Sequence, residues 1–140
     1  MTRSIAAAVF ALSLLPAGVA AAPCAGADPA ITSVALQSVS TTRYLDFYHV
    51  AVTVTNLGSA SQAGDVLQFV DVMQYGDRLD DRGIPPLAAG ASYTFTYVWK
   101  RAVDAGKNTT PLNFHVRFLS PQPPGAQDCD PDNGGSGIVI

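Results

Sequence analysis

The sequence predicts an all-β protein, an antiparallel β-sandwich of about seven strands in two sheets. The first indication is the segment 50–58 (VAVTVTNLG), in which valines alternate with alanine and threonine before an Asn-Leu-Gly turn. A strand turns successive side chains to opposite faces, so this alternation is typical of a strand with one buried face. The second is that all 11 acidic residues are aspartate, which favours turns, and none is glutamate, which favours helices. The third is that no segment shows a sustained helical period.

Three strands are predicted in the first half of the chain. Apolar residues alternate loosely over 31–39, and the alternation is clearest over 44–55. The segment 66–73 (VLQFVDVM) is apolar on both faces, so this strand should lie in the centre of a sheet or be covered on its outer side. The charged segment 74–86 (QYGDRLDDRGIPP) is predicted to be a loop that leads into a short extended piece.

The second half supplies the remaining strands. In 93–99 (YTFTYVW) aromatic residues alternate with others, which predicts a strand with an aromatic face toward the core. A polar loop is expected over 101–111, and a strand over 112–119, where phenylalanine and valine alternate with polar residues. Residues 120–137 are rich in Pro, Gly and Asp, and the apolar tail 138–140 could form a short last strand. Short strands separated by turn signals imply two packed sheets.

Residues 1–22 have the pattern of a secretory signal peptide. Arg3 supplies a positive start, 5–15 is an apolar run, and small residues follow over 18–22. Cleavage after Ala20 or Ala21 fits this pattern. The apolar run is too short to remain as a membrane anchor. We therefore expect residues 23–140 to form a single exported domain, periplasmic or extracellular.

Cys24 and Cys129 are the only two cysteines of the chain. Exported proteins fold in an oxidising environment, so we expect a disulfide bond between them. Closing a loop of about 100 residues is worth about 4–5 kcal/mol in the chain-entropy model. A lipid anchor on Cys24 is the alternative, but Pro23 and Ala21 occupy the positions where a lipobox prefers a small residue and leucine.

The charge pattern argues against several function classes. The net charge is −3 and no basic stripe is present, so nucleic acid and anionic membrane surfaces are poor partners. No Gly-x-Ser-x-Gly nucleophile elbow occurs. Without glutamate, paired-carboxylate chemistry would need Asp46 and Asp71, which lie within predicted strands. We expect a structural hydrogen bond for Asp46, with Arg43 or a tyrosine as its partner. The sequence predicts neither an enzyme nor a cofactor.

Two groups of residues have the chemistry of metal ligands. His49 and His115 are the only histidines, and we expect both on outward faces, on strands of opposite sheets, where they cannot share a metal. Asp128, Asp130 and Asp132 have the alternate spacing of a calcium loop. The later positions of such a loop do not fit, because no glycine stands at the sixth position and no bidentate acid at the twelfth. A solvated turn is therefore expected there, with calcium as the alternative.

Three segments match, in order and spacing, a known domain. They are 50–64 (VAVTVTNLGSASQAG), with its Asn-x-Gly turn, 84–99 (IPPLAAGASYTFTYVW), with a Leu-x-x-Gly turn before an aromatic strand, and 129–135 (CDPDNGG), with Asp-x-x-Asn. The chain in this respect resembles the CARDB domain, the cell-adhesion-related domain found in bacteria. The resemblance covers most of residues 23–140. It implies an immunoglobulin-like sandwich that serves as a spacer or interaction module of exported proteins, and it carries over no catalytic residue.

The expected function is therefore binding, by an exported non-catalytic module whose partner is a protein or an envelope polysaccharide. Leu45 and Phe47 share an outer strand face and could form an interaction patch, or they could be covered by the segment 74–86. The long loops supply further candidate contact residues, which are Asp77, Arg78, Asp80, Asp81, Arg82, Lys100 and Arg101. A structural or spacer role without a ligand is the alternative, and an enzyme or metal protein with an unusual site is a more distant one.

Overall fold

The computed structural model describes residues 25–106, 109–119 and 128–140, and it confirms the predicted all-β sandwich. Seven strands form two antiparallel sheets, and a single turn of 3-10 helix is the only helical element of the described residues. The elements are β1 (Pro29–Thr41), β2 (Leu45–Asn56), β3 (Gln68–Gln74), β4 (Asp77–Ile84), β5 (Ser92–Ala102), β6 (Pro111–Phe118), the 3-10 turn η1 (Pro131–Asn133) and β7 (Gly135–Val139).

The strands are divided between the sheets in an immunoglobulin-like order. One sheet has the order β1-β2-β5 and the other β4-β3-β6-β7. Segment 66–73 was expected to be central, and β3 indeed lies between β4 and β6. Because β5 joins β2 and β6 joins β3, each sheet is built from segments that are distant in the chain. The edge strands β4 and β5 lie on the same open side of the sandwich.

The core lies between the two sheets and is built from the alternating positions of the strands. The inward valines of β2 and β3 are fully or almost fully buried, as are Leu112 and Phe114 of β6. Trp99 packs against Tyr48 with ring centroids 5.3 Å apart, and Tyr97 meets the edge of Phe114 at 6.1 Å. Burial of each such side chain contributes about 1.5–3 kcal/mol, so the alternation in the sequence accounts for most of the driving force.

The prediction of a loop over 74–86 is wrong, because residues 77–84 form the strand β4. Tyr75 and Gly76 have positive φ angles of 51° and 93°, the conformation of a two-residue turn whose twist matches a β-hairpin. The turn places Gln74 opposite Asp77, and the charged residues that follow occupy an exposed edge strand. An edge strand of this kind has no apolar face, so it leaves no hydrophobic period in the sequence.

Two further boundaries differ from the sequence prediction. Strand β5 continues to Ala102, so that Lys100 and Arg101 lie within a strand and not in a loop. Strand β7 begins at Gly135, before the apolar tail. Backbone pairing with β6 explains this early start, and a Cβ atom at Gly135 would come within 2.5 Å of the His115 ring. A larger residue at Gly135 would therefore displace the exposed His115 ring, which lies across β7.

The end of β2 is fixed by a buried asparagine side chain. Asn56 is fully buried, and its Oδ1 accepts hydrogen bonds from the backbone N–H groups of Asp28 (2.9 Å) and Gly58 (3.1 Å). Its Nδ2 donates to the carbonyls of Ala60 (2.9 Å) and Leu87 (3.0 Å). One amide thus joins the segment before β1, the turn after β2 and the connection before β5. This is the structural role of the Asn-x-Gly turn.

Several sequence predictions concern residues outside the described ranges. The signal peptide, residues 1–22, and Cys24 belong to this group and stay predictions. Cys129 lies before η1, and its backbone N–H donates to the carbonyl of Ala27 at 3.1 Å, three residues after Cys24 in the chain. In the part of the chain that the structure describes, no helix has the length and apolar character needed to cross a membrane.

Candidate binding site

One end of the sandwich carries a cleft between the β1–β2 turn and the end of β5. The register of β2 and β5 pairs Leu45 with Ala102, which brings the start of one strand to the end of the other. The turn is held by Thr42, whose backbone N–H donates to the Leu45 carbonyl at 2.8 Å and whose Oγ1 accepts from the Leu45 N–H at 3.1 Å. The Val103 N–H then donates to the Tyr44 carbonyl at 3.0 Å. These backbone contacts fix the walls of the cleft.

We call this depression the end cleft; its volume is about 660 Å³ and its lining is formed by Arg43, Tyr44, Leu45, Ala102, Val103 and Asp104. Its apolar walls are open to solvent, since Tyr44 is 69 % exposed, Val103 48 % and Leu45 36 %. Arg43 lies over the Tyr44 ring, with its guanidinium carbon 5.3 Å from the ring centroid. A contiguous apolar surface with a charged rim is typical of an interaction site.

A second depression of about 480 Å³ adjoins the end cleft and shares Val103 with it. Its polar wall is formed by Arg101, which donates to the Tyr48 hydroxyl and lies 5.0 Å from the centroid of that ring. Asp46 lies beside it and accepts a hydrogen bond of 2.6 Å from the Thr41 hydroxyl. The expected structural hydrogen bond of Asp46 is therefore present, but its partner is threonine and not Arg43 or a tyrosine.

Leu45 and Phe47 share the outer face of β2, as predicted, but they differ in their surroundings. Leu45 lines the end cleft, whereas Phe47 is partly covered by Lys100, whose Nζ lies 5.7 Å from the ring centroid. The alternative that the segment 74–86 covers both is wrong, because that segment belongs to the other sheet. Leu45 therefore belongs to the end cleft, whereas Phe47 lies beside it under the Lys100 side chain.

The charged residues of β4 lie away from the end cleft, on the open side of the sandwich. A cleft of about 390 Å³ between β4 and β5 brings Asp80, Asp81 and Arg82 together with Lys100. Burial, and secondarily the negative charge of Asp80, raise the pKa of Tyr97 in this cleft. The structure therefore divides the predicted contact residues into two groups, with Leu45, Phe47, Lys100 and Arg101 on the β2–β5 sheet and the charged residues of 77–82 on β4.

Asp71 does not form a carboxylate pair with Asp46, because the two lie in opposite sheets. It faces outward from β3 and is covered by Arg117, whose Nε donates to its Oδ2 at 2.7 Å. Arg117 also reaches Asp81 at 3.1 Å, and Arg78 lies 3.8 Å from Asp71 Oδ1. The hydrogen bond to Asp71 raises the pKa of Arg117. This network covers the outer side of β3 and accounts for the burial of an outward carboxylate.

The two histidine candidates are far apart in the structure, whereas Asp128 and Asp130 are neighbours. His49 lies on β2 and His115 on β6, in opposite sheets as expected. Asp128 Oδ1 accepts from the Asp130 N–H at 3.1 Å, whereas Asp132 is exposed on η1. Within the described ranges, no group of three or more His, Cys, Asp or Glu side chains could hold a metal ion.

A contact that the sequence does not indicate ties η1 to the start of β1. The Asn133 Nδ2 donates to both carboxylate oxygens of the buried Asp28, at 3.0 and 3.1 Å, and more weakly to Asp130 at 3.3 Å. Burial, and then the nearby Asp28 carboxylate, raise the pKa of Asp128, against a hydrogen bond from the Asp130 N–H. The turn that contains the Asp-x-x-Asn motif therefore closes one end of the sandwich.

Sequence reasoning identified Leu45 but missed the other residues of the end cleft, among them Arg43, Tyr44 and Val103. Arg43 and Tyr44 lie in the turn before β2, and Val103 follows the last residue of β5, so the alternation of the strands does not place their side chains. The available signal was the pair Arg43-Tyr44, since large side chains stand where a tight turn usually has small polar residues. Val103 could not be found in this way, because only its backbone contact with Tyr44 places it in the site.

Comparisons with known proteins found no relative of this chain, so its site is interpreted from its own residues. No family model, no curated protein and no solved structure matches this chain. The end cleft is larger than the depression beside it and the cleft between β4 and β5, and its lining is more apolar. It is accordingly the surface on which a function can best be argued.

Proposed function

We propose that the protein is an exported, non-catalytic binding module, related to CARDB, whose end cleft holds a protein partner of the bacterial envelope or medium. The observation that carries this proposal is the exposure of Tyr44, Leu45 and Val103 around one cleft. Exposed apolar groups of this size are costly to leave in water unless they are buried in a complex. Tyrosine is also among the residues that contribute most to binding energy in protein interfaces.

The charges beside the end cleft define the chemistry of the partner. Arg43 lines the cleft, while Lys100 and Arg101 extend from the neighbouring part of β5. Asp104 is the acidic residue of the lining. Arg43, Lys100 and Arg101 outnumber the acids Asp104 and Asp46 in and beside the cleft, which favours a partner segment that inserts an apolar side chain and carries a carboxylate beside it. Arginine at such a rim can bind a carboxylate with two parallel hydrogen bonds.

Backbone order at the site supports binding with little rearrangement. The turn that carries Tyr44 is closed by the Thr42–Leu45 hydrogen bonds and attached to β5 by the Val103–Tyr44 hydrogen bond. A wall that is already fixed loses little conformational entropy when a partner binds. The cleft is therefore suited to an apolar anchor residue and does not require a loop to close over it.

The test is capture from envelope and medium fractions by the immobilised, oxidised domain (residues 23–140). Tyr44→Ser and Val103→Asp should each weaken capture of the retained partner by about tenfold or more. Tyr75→Ser is the matched control, because Tyr75 has nearly the same exposure, 70 %, and lies in the β3–β4 turn outside the cleft. This control should retain the partner at the parent level.

The other outcomes of this experiment favour different functions. Retention of a partner that neither cleft substitution weakens would place the binding surface elsewhere and refute the role of the end cleft. Retention of polysaccharide in place of protein would assign the envelope polymer as partner. An empty capture from every fraction would favour the structural or spacer role.

A further inference from the structure

Strand β4 is the outer strand of its sheet, and its far edge has no partner strand among the described residues. Residues 77–82 of this strand read Asp-Arg-Leu-Asp-Asp-Arg, and all six are exposed. An antiparallel copy in the register that pairs Asp77 with Arg82 also pairs Arg78 with Asp81. Every charge in these four positions then meets its opposite, and Asp80 lies opposite Leu79, so the segment is complementary to itself at four of its five charged positions.

The β-bulge of β4 makes this register consistent with the faces of the sheet. The register with β3 places Arg78 and Asp81 on the outer face and Asp77 and Arg82 on the face toward the core. In a regular strand Arg78 and Asp81, three residues apart, would lie on opposite faces. The bulge between Arg78 and Asp80 adds one residue to the strand, so both side chains lie on the same face. Directly opposed residues of an antiparallel pair share a face, and both proposed pairs meet this condition.

We propose that a second copy of this chain binds along β4, with the two β4 strands antiparallel about a two-fold axis between Leu79 and Asp80. The two four-stranded sheets then form one continuous sheet of eight strands. Each copy contributes Asp77 and Arg78 to the partner's Arg82 and Asp81, which gives four cross-strand ion pairs in the dimer. A two-fold interface of this kind uses the same patch on both copies.

The charges explain why a second copy fits better than an unrelated strand. Charged residues on an edge strand oppose pairing with most other strands, since a random partner leaves several of them unmatched. Asp77 and Arg82 have no ion pair within the described residues and are available to a partner. Asp81 keeps its contact with Arg117, and a carboxylate can accept hydrogen bonds from two guanidinium groups at once.

The dimer should be weak, because one strand edge is smaller than a standard protein interface. We expect a dissociation constant between about 10 µM and 1 mM at low salt. We also expect self-association to decrease as the ionic strength rises, because the ion pairs are at the surface. The proposal is independent of the end cleft, which lies in the other sheet.

Sedimentation equilibrium of the oxidised domain (residues 23–140) over concentrations from about 10 µM to 2 mM tests this directly. Arg82→Asp and Asp77→Arg each place like charges opposite one another twice in the dimer. Either substitution should raise the dissociation constant by about tenfold or more. The double variant, Asp77→Arg with Arg82→Asp, exchanges the charges and should restore the parent value within about threefold. Circular dichroism checks that each variant keeps the parent fold, as expected for exposed positions.

Three results would overturn the proposal. The first is a parent protein that stays monomeric over the whole concentration range. The second is a dimer that neither single substitution weakens, which would place the interface elsewhere, for example along β5. The third is a double variant that dimerises as weakly as the single variants. If Asp77 and Arg82 pair across the dimer, exchanging their charges must restore the dissociation constant.

Discussion

Replacing Asn56 by alanine should remove four hydrogen bonds at one buried position. The side chain is the shared partner of two backbone N–H groups and two carbonyls that belong to three different segments. At about 1 kcal/mol for each hydrogen bond, the free energy of unfolding should fall by about 4 kcal/mol. The reason is that the four backbone groups stay in the protein and lose their partner.

Urea unfolding followed by the fluorescence of Trp99, the single tryptophan, measures this loss. With a urea dependence of about 1.5 kcal/mol per molar, the midpoint should fall by about 2–3 M. Asn113→Ala is the matched control, because Asn113 lies exposed on β6 and its removal should change stability by no more than about 0.5 kcal/mol. A loss below about 1 kcal/mol for Asn56→Ala would show that the junction is held by other contacts and would refute this reasoning.

Three further predictions concern the same end of the molecule. Gly58→Ala should destabilise the protein by about 2 kcal/mol or more in the same urea assay, because a Cβ atom there would lie 2.0 Å from the Gly26 carbonyl oxygen. Gly64→Ala is the control and should be neutral, because a Cβ atom at Gly64 would have no atom within 4 Å. Mass spectrometry without reductant should find the exported protein two hydrogens lighter than its fully reduced form. Reduction of the Cys24–Cys129 bond should lower the free energy of unfolding by about 4 kcal/mol. Two free thiols would contradict the pairing. Asp128→Asn should stabilise the protein at pH 7 and lose this advantage near pH 3. The raised pKa of Asp128 means that its protonated form favours folding, and this contribution is lost as the pH rises through the folded pKa. Asp132→Asn is the exposed control, and an equal effect of the two substitutions at pH 7 would refute the assignment.

The strands with one buried face could be predicted from the sequence because burial leaves a period of two. The valines of β2 and the aromatic residues of β5 are examples, and their inward positions are those that the alternation indicates. β4 could not be predicted, because almost all of its residues are exposed and charged, so apolar and polar residues do not alternate along it. Its only local signal was the turn at Tyr75-Gly76, where two successive positive φ angles reverse the chain.

The candidate site was predictable only in part, for a similar reason. Leu45 was predicted because it lies within β2, where the alternation of residues shows which side chains lie on the outer face. Tyr44 was predicted to begin that strand but lies in the turn before it, and it meets Val103 through a backbone hydrogen bond between segments almost 60 residues apart. The charged residues of 77–82, Lys100 and Arg101 were predicted as contact residues because they stand in polar segments. Their division between the two sheets depends on the strand register, which a single sequence does not reveal.

The interleaving of the two sheets has a consequence for how the chain reaches its native state. The β1–β2 hairpin is local, but β2 has its second neighbour only when β5 is present, and β3 is completed by β4 and then β6. A nascent chain that stops before β5 also lacks β6, whose Leu112 and Phe114 belong to the same core as the valines of β2, so part of that valine face would be exposed to water. No half of this sandwich can act as an independent folding unit, and folding should be a late, cooperative event on the millisecond-to-second scale typical of such topologies. Any nick in the connection between β4 and β5 would leave two fragments that are stable only together.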